Sequence, residues 1–585
     1  MAKPDRAIAV STSRAAAAPT AATLEIGGLS TWRLPALSNT AATLLLALVA
    51  IVAVYPVAQI VLQSFQSSAP GGDVVWSLAG WQALLAERGL QTAIWNTISL
   101  TLVRQFLALI VGIFIAWLLA RTDVPGRRVF EFLFWLAFFF PSLTITLSWI
   151  FLLDPRFGLV NQVLNSMHIG PLNIFSFWGI VWVHLIGNSL AIKVMLLTPV
   201  FRNMNSTYED AARVSGASTF RTTLRIFLPL MLPVIVAVEF LALLRSFEAF
   251  EIEQILGTPA RFFVASTWIY DTLSQIRPRY DAVAALAVVV ILASVALIAI
   301  QRAILGTRHY TTITGQYQVR LVRLGWTRWF AFGFLVLLVL LAVGVPIVCS
   351  VAATLMKKFG FFTSQPWTFQ NWQTALQDPL LLRALQNTIV LALSTALVSL
   401  VIFSLIAYLI VRTRFWGRRI LDYLAWLPFT VPGIVLSLAL LTMFLQPPAQ
   451  AVYGTMFTLV MSLVLAGMPF AVQSMKSAFV QLSRDLEDAS LANGVTWLQT
   501  YRRIVLPLIS PMMVVVGVVS FIGAGRNIAQ VALLSNSATR PLSIMQLDYI
   551  SEGKYEVAAV IATLLLLLSA ALALVARRFG HRGIS

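Results

Sequence analysis

The residues best placed to do chemistry occur in two copies of one short polar motif. Each copy has an acidic residue, two small residues, a glycine and a Leu-Pro pair at identical spacing: Asp210-Ala211-Ala212, Gly216 and Leu228-Pro229, then Asp488-Ala489-Ser490, Gly494 and Leu506-Pro507. An acidic start favours a helix through the helix dipole, and a glycine can end that helix in the left-handed conformation. The chemistry expected here is docking rather than bond-making. Its duplication predicts two docking sites for a paired partner.

A second group of candidates is charged and lies at the ends of apolar stretches: Arg245, Glu248, Glu251 and Glu253 in one place, Arg526 and Asn527 in another. Charges inside a membrane span cost about 2.5–3.5 kcal/mol each, so they usually face a cavity or a partner. Arg245 and Glu248 are spaced to meet on one helix face. Glu248 corresponds to Arg526 in the internal repeat described below, which predicts an ion pair or outer gate between the two halves. The alternative is that these residues lie in exposed outer loops, or that Arg526 snorkels to the membrane surface.

The sequence indicates no catalytic or metal centre. Its histidines are scattered, at His168, His184, His309 and His581, and no His/Cys/carboxylate cluster has metal-ligand spacing. The phosphate-binding pattern G-x-x-x-x-G-K-[ST] is also missing from the sequence. We therefore expect a chain that is not an enzyme and that itself holds no catalytic residue, metal or cofactor.

The elements that must position these residues are membrane helices. Of the 585 residues, 59% are hydrophobic and 11% are charged, whereas soluble domains carry about 25% charged residues. A helix needs about 20 apolar residues to cross a bilayer, and continuous apolar runs of that length exclude barrel strands. The expected fold class is all-α integral membrane, with twelve spans near 40–65, 96–120, 131–153, 176–200, 230–250, 282–304, 328–354, 386–411, 420–445, 453–475, 508–528 and 556–577.

The formal net charge of +18 is distributed unevenly between the loops. Basic residues cluster before the first span, after the second, between the sixth and seventh, after the eighth and at the end of the chain, for example Arg33, Arg127, Arg323, Arg418 and Arg578. All these positions fall on one side of a twelve-span protein, and the positive-inside rule assigns that side to the cytoplasm. We therefore expect both termini and both motif loops to be cytoplasmic. A basic charge used in this way does not indicate nucleic-acid binding.

The repeat extends through most of the chain. At an offset of 291 residues Asn96-Thr97 matches Asn387-Thr388 and Pro141 matches Pro432, and the offset falls to 278 for the motif loops. Each half has six spans, and because six is an even number both halves enter the membrane from the same side. The repeats are therefore parallel, with a pathway expected on their shared axis. The expected organisation is a disordered cytoplasmic tail (1–38), a first domain (39–304), a cytoplasmic linker (305–327), a second domain (328–578) and a short cytoplasmic tail (579–585).

The two motifs resemble the EAA loop of ABC importer permeases. Asp210 and Asp488 stand where glutamate is usual, each preceded by Glu209 or Glu487, and Ser490 replaces the second alanine. The resemblance covers about residues 40–578 and is to fused permeases of the ferric-iron type. It implies the MetI-like fold of type I importers, as two parallel six-helix repeats. It assigns ATPase coupling to Glu209, Asp210, Ala211, Ala212 and Gly216, and to Glu487, Asp488, Ala489, Ser490 and Gly494.

The same resemblance implies the partners and the cargo. Two copies of a cytoplasmic ABC ATPase bind ATP and Mg, a periplasmic substrate-binding protein delivers the substrate, and the chain forms the pathway across the bacterial inner membrane. Ferric iron is the expected substrate, and thiamine, a phosphonate or a polyamine carried by the same machine is the alternative. An ion-coupled secondary transporter that works without an ATPase is the alternative of another class.

Overall fold

The computed structural model describes residues 39–67, 73–204, 212, 214–305, 321–361, 365–483 and 485–580. The predicted N-terminal tail, most of the predicted linker and three predicted coupling residues, Glu209, Asp210 and Ala211, lie outside these ranges. Within them the regular elements are helices, with three isolated β-bridges. The prediction of an all-α fold is confirmed.

Thirteen helices are described in the first half: α1 Asn39–Gln63, α2 Ala79–Ala86, α3 Arg88–Arg121, α4 Arg127–Phe138, α5 Ser142–Leu153, α6 Leu159–Ser166, α7 Phe177–His184, α8 Leu190–Arg202, α9 Thr219–Thr222, α10 Leu228–Phe247, α11 Glu251–Gly257, α12 Ala265–Leu273 and α13 Tyr280–Leu305. Twelve are described in the second half: α14 Arg328–Val339, α15 Val345–Thr354, α16 Gln370–Gln377, α17 Pro379–Arg412, α18 Arg418–Trp426, α19 Gly433–Phe444, α20 Met456–Gln481, α21 Asp485–Ala492, α22 Trp497–Thr500, α23 Leu506–Arg526, α24 Leu542–Ser551 and α25 Tyr555–Gly580. Short π-helical segments join α7 to α8, α9 to α10, α14 to α15 and α22 to α23.

Two of the twelve predicted spans are not continuous helices. Ten described helices are long and apolar enough to cross a membrane, but the spans predicted at 131–153 and 420–445 are bent by 101° and 110°. The breaks fall at Pro141 and Pro432. Proline lacks a backbone N–H and restricts the residue before it, which favours a break in the helix at these two positions.

Each bent pair nevertheless connects the two ends of the helix bundle. We call the end that carries Arg121 and Arg412 the loop end and the opposite end the far end. In the first half, Glu131 of α4 forms an ion pair with Arg202 at the loop end of α8. Phe157, just after α5, packs against Tyr555 at the far end of α25.

The second bent pair behaves in the same way. Asp422 of α18 pairs with Lys476 near the loop end of α20, whereas Gln446, just after α19, accepts a hydrogen bond from Tyr55 of α1 at 3.0 Å. With each pair counted as one crossing, the described chain crosses the bundle twelve times, six in each half.

The two halves repeat the same contacts as well as the same topology. Thr97 Oγ1 accepts the amide of Ala265 at 2.8 Å, and its counterpart Thr388 accepts the amide of Leu542 at 2.8 Å. At the loop end, Arg121 donates to the carbonyl of Met204 and its counterpart Arg412 donates to the carbonyl of Leu482. The prediction of two parallel six-helix repeats is therefore confirmed.

One buried contact in the first half has no counterpart in the second. Lys193 of α8, with a fully buried side chain, forms an ion pair with Glu239 of α10. Lys193 also packs so closely on Gly112 of α3 that a Cβ there would lie 2.5 Å from it. The corresponding positions are Ala471, Gly517 and Phe403, and the buried Phe403 ring replaces the ion pair.

We predict that Lys193→Met destabilises the protein by about 3–5 kcal/mol, because removing one partner leaves the other charge buried and unpaired. The double variant Lys193→Met/Glu239→Gln should recover most of this loss. Thermal unfolding in detergent measures both effects. If the double variant is no more stable than the single variant, the unpaired charge of Glu239 is not the cause of the lost stability.

Candidate functional site

The second motif loop is held in place by two of its five predicted coupling residues. Glu487 of α21 is buried, with its carboxylate 3.3 Å from Nε of Arg412 at the end of α17. Ser490 is also buried, and its Oγ lies 2.9 Å from Oγ1 of Thr500. Asp488 and Ala489 are exposed. The loop thus has an anchoring side and a side available to a partner.

Both loops end in the same backbone structure. Gly216 and Gly494 each have φ of +77°, the left-handed conformation expected from the sequence. The amide of Ala217 donates to the carbonyl of Ala212 at 2.9 Å, and that of Val495 donates to the carbonyl of Ser490 at 3.3 Å. These are the hydrogen bonds of a Schellman cap. A Cβ on either glycine would meet nothing within 4 Å, so both caps face open space.

Apolar side chains are exposed around both loops. Val214 in the first copy is 91% exposed, and Leu486 and Leu498 in the second are 46% and 64% exposed. Because α8 and α20 lead directly into the loops, these side chains lie at the loop end, beyond the membrane-spanning parts of those helices. Grouped exposed apolar residues beside polar ones are typical of a surface that another protein covers.

Between the two halves lies a cavity of about 1700 Å³. It extends from Arg202 and Gln481 near the loop end to Glu253 and Gln530 near the far end, and it is lined by residues of both repeats. All five pathway or gate candidates, Arg245, Glu248, Glu251, Arg526 and Asn527, line it. The sequence thus identified side chains that the fold does bring to one place.

The predicted pairing of Glu248 with Arg526 is wrong in this structure. Glu248 forms its ion pair with Arg245, at 2.8 Å on the same helix face, as the spacing predicted. Arg526 instead donates to the carbonyls of Phe138 at 2.7 Å and Phe140 at 3.4 Å. These carbonyls lie at the Pro141 bend, beyond the last helical hydrogen bonds of α4, and a guanidinium satisfies such groups well.

Arg526 still joins the two halves, and Arg245 does so in the reciprocal direction. The Arg526 guanidinium lies 5.4 Å from the ring centroid of Phe138, and that of Arg245 lies 5.1 Å from the ring centroid of Phe429. Phe138 and Phe429 are counterparts at the repeat offset of 291 residues. Each repeat therefore places an arginine on the bent span of the other. Asn527 caps the turn after α23 by accepting the amide of Gln530 at 3.0 Å.

A buried charged cluster beside the cavity was not recognised from the sequence. His184 Nε2 lies 2.7 Å from Oε1 of Glu253 and 2.7 Å from Nη1 of Arg104, and Arg104 also donates to the carbonyl of Ser246. From the sequence, His184 was only one of four scattered histidines. The available signal was Arg104 within an apolar span. In the described residues no group of three or more His, Cys, Asp or Glu side chains is arranged to hold a metal ion.

Taken with this fold, comparison with known proteins defines the class. The profile of the binding-protein-dependent transport system inner membrane component matches residues 108–308 and 400–582, once in each half. The chain belongs to this family and is an ABC importer permease.

Particular relatives match either both repeats of this chain or about one of them. It is 26% identical to "Probable ABC transporter permease protein y4fN" of Sinorhizobium fredii, over 85% of this chain and 89% of that protein. It is 24% identical to "Ferric transport system permease protein FbpB" of Actinobacillus pleuropneumoniae, over 72% of this chain and 61% of that protein. "Sulfate transport system permease protein CysT" of Salmonella typhimurium is 28% identical, over 36% of this chain and 82% of that protein.

Among solved structures, the chain is similar to a bacterial alginate ABC transporter in complex with an alginate pentasaccharide-bound periplasmic protein. The TM-score is 0.40 at 20% identity, and the match covers 46% of this chain and 95% of that one.

The contact of Arg526 with the bent span gives a prediction about stability. Arg526→Gln should lower the free energy of unfolding by about 1–3 kcal/mol, because two partly buried carbonyls lose their donor. Arg540→Gln is the control: its ion pair with Asp548 is half-exposed, and exposed pairs contribute about 0–1 kcal/mol. Thermal unfolding in detergent measures both.

A double-mutant cycle tests whether Arg526 pairs with Glu248 or with the backbone carbonyls at the Pro141 bend. Glu248→Gln and Arg526→Gln should have additive effects, because the two side chains do not pair. A large coupling energy between the two substitutions would instead support the ion pair of Glu248 with Arg526 that the sequence predicted.

Proposed function

We propose that this permease imports ferric iron across the bacterial inner membrane, with two copies of a cytoplasmic ABC ATPase and a periplasmic substrate-binding protein. The observation that carries the ATPase assignment is the pair of identically capped loops at one end of the bundle. Two equivalent loops, each with an exposed face, fit two copies of one partner. In this proposal the loop end and both termini are cytoplasmic.

In the second repeat, direct side-chain contacts connect the motif loop to helices that line the cavity. Arg412 contacts both Glu487 in the second loop and the carbonyl of Leu482, the residue that follows α20. A loop that moves with its ATPase therefore pulls on α17 and α20 together, and both helices line the cavity. In the proposed cycle ATP and Mg bind to the partner, the halves shift against each other, and the contacts of Arg245 and Arg526 across the halves break and re-form.

Support for iron comes from the extent of similarity and from donor chemistry. Two ferric transport permeases match 72% and 60% of the chain, whereas sulfate permeases match 34–36% of it, about one repeat. Carboxylates such as Glu251 in the cavity suit a hard cation. The sulfate relatives make an oxyanion the second candidate, and Arg127, Arg128 and Arg202 near the loop end of the cavity favour it.

We predict that Gly216→Asp with Gly494→Asp abolishes uptake while the chain still inserts in the membrane. A Cβ at either position meets nothing within 4 Å, and Asp adopts the left-handed conformation more readily than most residues. The added carboxylates therefore act mainly on a docked ATPase. Uptake, the amount of permease in the membrane and co-purification of the ATPase are the measurements.

Gly553→Asp is the matched control. Gly553 has φ of +76° and open space around it, but it precedes α25 at the far end. Uptake should survive this change. Normal uptake by the double variant, or an equal loss in Gly553→Asp, would contradict the assignment of the loops to coupling.

The substrate is tested with vesicles that contain the permease, its ATPase and its binding protein. Labelled ferric citrate should accumulate in an ATP-dependent manner, and excess sulfate or molybdate should not compete, since an oxyanion lacks the positive charge that the cavity carboxylates favour. Sulfate uptake without iron uptake would replace the proposed cargo by the second candidate.

A further inference from the structure

The wall of the cavity is chemically unequal between the two repeats. Among the described residues, every acidic side chain that lines it comes from the first repeat: Glu131, Glu248, Glu251 and Glu253. The second repeat contributes one charged side chain, Arg526. Parallel repeats of equal function would give similar walls, so this difference needs its own explanation.

The inequality extends to individual positions near the far end. The pairing of positions is set by shared contacts, those of Thr97 with Thr388 and of Arg121 with Arg412. With the same offsets, the polar residues Arg104, Ser142, His184 and Asn188 of the first repeat correspond to Thr395, Gly433, Ser462 and Ala466 of the second. The segment after α10 contains three glutamates between 248 and 264, whereas the segment 526–541 has no acidic residue. The second repeat has thus lost, or never gained, this polar wall.

Three of the four cavity carboxylates are already paired. Glu131 pairs with Arg202, Glu248 with Arg245, and Glu253 with Arg104 and His184. Glu251, at the start of α11, is the exception among the described residues.

Glu251 is held in position by neutral groups. The hydroxyl of Ser142 is its hydrogen-bond partner, and the side-chain amide of Asn188 lies 3.4 Å from that hydroxyl. The nearby Arg526 directs its donors to backbone carbonyls instead. The Glu251 carboxylate is therefore oriented, only partly buried and not neutralised by a direct ion pair within the described structure.

Buried oxygen atoms in the wall of the same cavity point to the charge of what binds there. Oε1 of Gln105, Oδ1 of Asn188 and Oε2 of the fully buried Glu253 line the cavity and have no hydrogen-bond partner in the described structure. Two cavity groups that can donate, Nε of Arg104 and the hydroxyl of Thr395, are in the same state. A buried acceptor without a donor costs about 1–3 kcal/mol. A cation, or a cargo rich in hydrogen-bond donors, would satisfy three such acceptors together.

We propose that Glu251, oriented by Ser142 and Asn188, is the contact in the membrane for a positively charged cargo, and that the first repeat alone determines this specificity. The inference rests on the proposed role of the chain as an importer subunit, and it adds a cargo site within the permease. The second repeat supplies a mainly apolar wall. A cargo held by the first repeat therefore moves along that wall without binding to a second carboxylate.

A thiol-labelling experiment tests the site without any assumption about iron. Cys349 is the only cysteine of the chain and is buried, so Cys349→Ala provides the background. Ser142→Cys is then modified with a cationic and an anionic methanethiosulfonate reagent. Adding Glu251→Gln should lower the ratio of cationic to anionic rates at least about 3-fold, because a unit charge a few ångströms away changes the local potential by more than RT.

The same comparison at Ser474→Cys, on the second repeat near the loop end of the cavity, should show an unchanged ratio. A ratio at Ser142→Cys that does not respond to Glu251→Gln, or a thiol that neither reagent reaches, would overturn the proposal.

Uptake of labelled ferric citrate, in vesicles with the ATPase and the binding protein, tests the role in transport. Glu251→Gln should reduce uptake at least about tenfold, as expected for the loss of one charge-assisted contact, with ATP hydrolysis unchanged. Ser142→Ala should reduce it less. Ser520→Ala, on the cavity wall of the second repeat, should leave it unchanged.

Normal uptake by Glu251→Gln would overturn the proposal. If the unmodified chain moves no iron, the ferric assignment fails, and the thiol-labelling ratio alone decides whether Glu251 is a cation contact.

Discussion

The architecture depends on one constraint: inside a membrane, backbone polar groups must find partners within the protein. Pro141 and Pro432 break one span in each repeat and leave carbonyl groups beyond the last helical hydrogen bonds of the preceding helix. At the first break Arg526 of the other repeat satisfies the carbonyls of Phe138 and Phe140. The need to satisfy a broken helix therefore adds a polar contact between two halves that also pack through their helices.

A second set of buried contacts fixes the helices at the loop end. Arg121 and Arg412 each end a long helix and donate to a carbonyl just after the helix that leads into a motif loop, at Met204 and Leu482. In the second repeat the same arginine holds Glu487. In the proposed coupling to an ATPase, these buried contacts would carry motion from the second loop to α17 and α20, both of which line the cavity.

Much of this could be predicted from sequence because the signals were local. Apolar length located the spans, and the repeated glycines at 216 and 494 gave the left-handed caps. The length and composition of an apolar segment do not show whether its helix is straight, so the 101° and 110° bends were missed. Both prolines were noted only as matching positions of the repeat. The partner of Arg526 was mistaken for a similar reason: the repeat offset gives equivalence between positions, whereas pairing depends on which acceptors a bend exposes.

The contact of His184 with Glu253, 69 positions apart, depends on tertiary packing that no local pattern reports. Sequence comparison between the repeats could have drawn attention to it, because Ser462 stands where the first repeat has His184. Differences between the repeats are therefore as informative as their similarity. The shared positions build the scaffold, and the unshared ones distribute charge along one side of the cavity.

We propose that this chain is a pathway driven through its two loops by a separate ATPase. The most direct measurement is uptake by sealed vesicles that contain the permease and its binding protein, with the ATPase either present or omitted, and with ATP or an imposed proton or sodium gradient. The account predicts accumulation only when ATPase and ATP are both present. Accumulation driven by an ion gradient without the ATPase would contradict it.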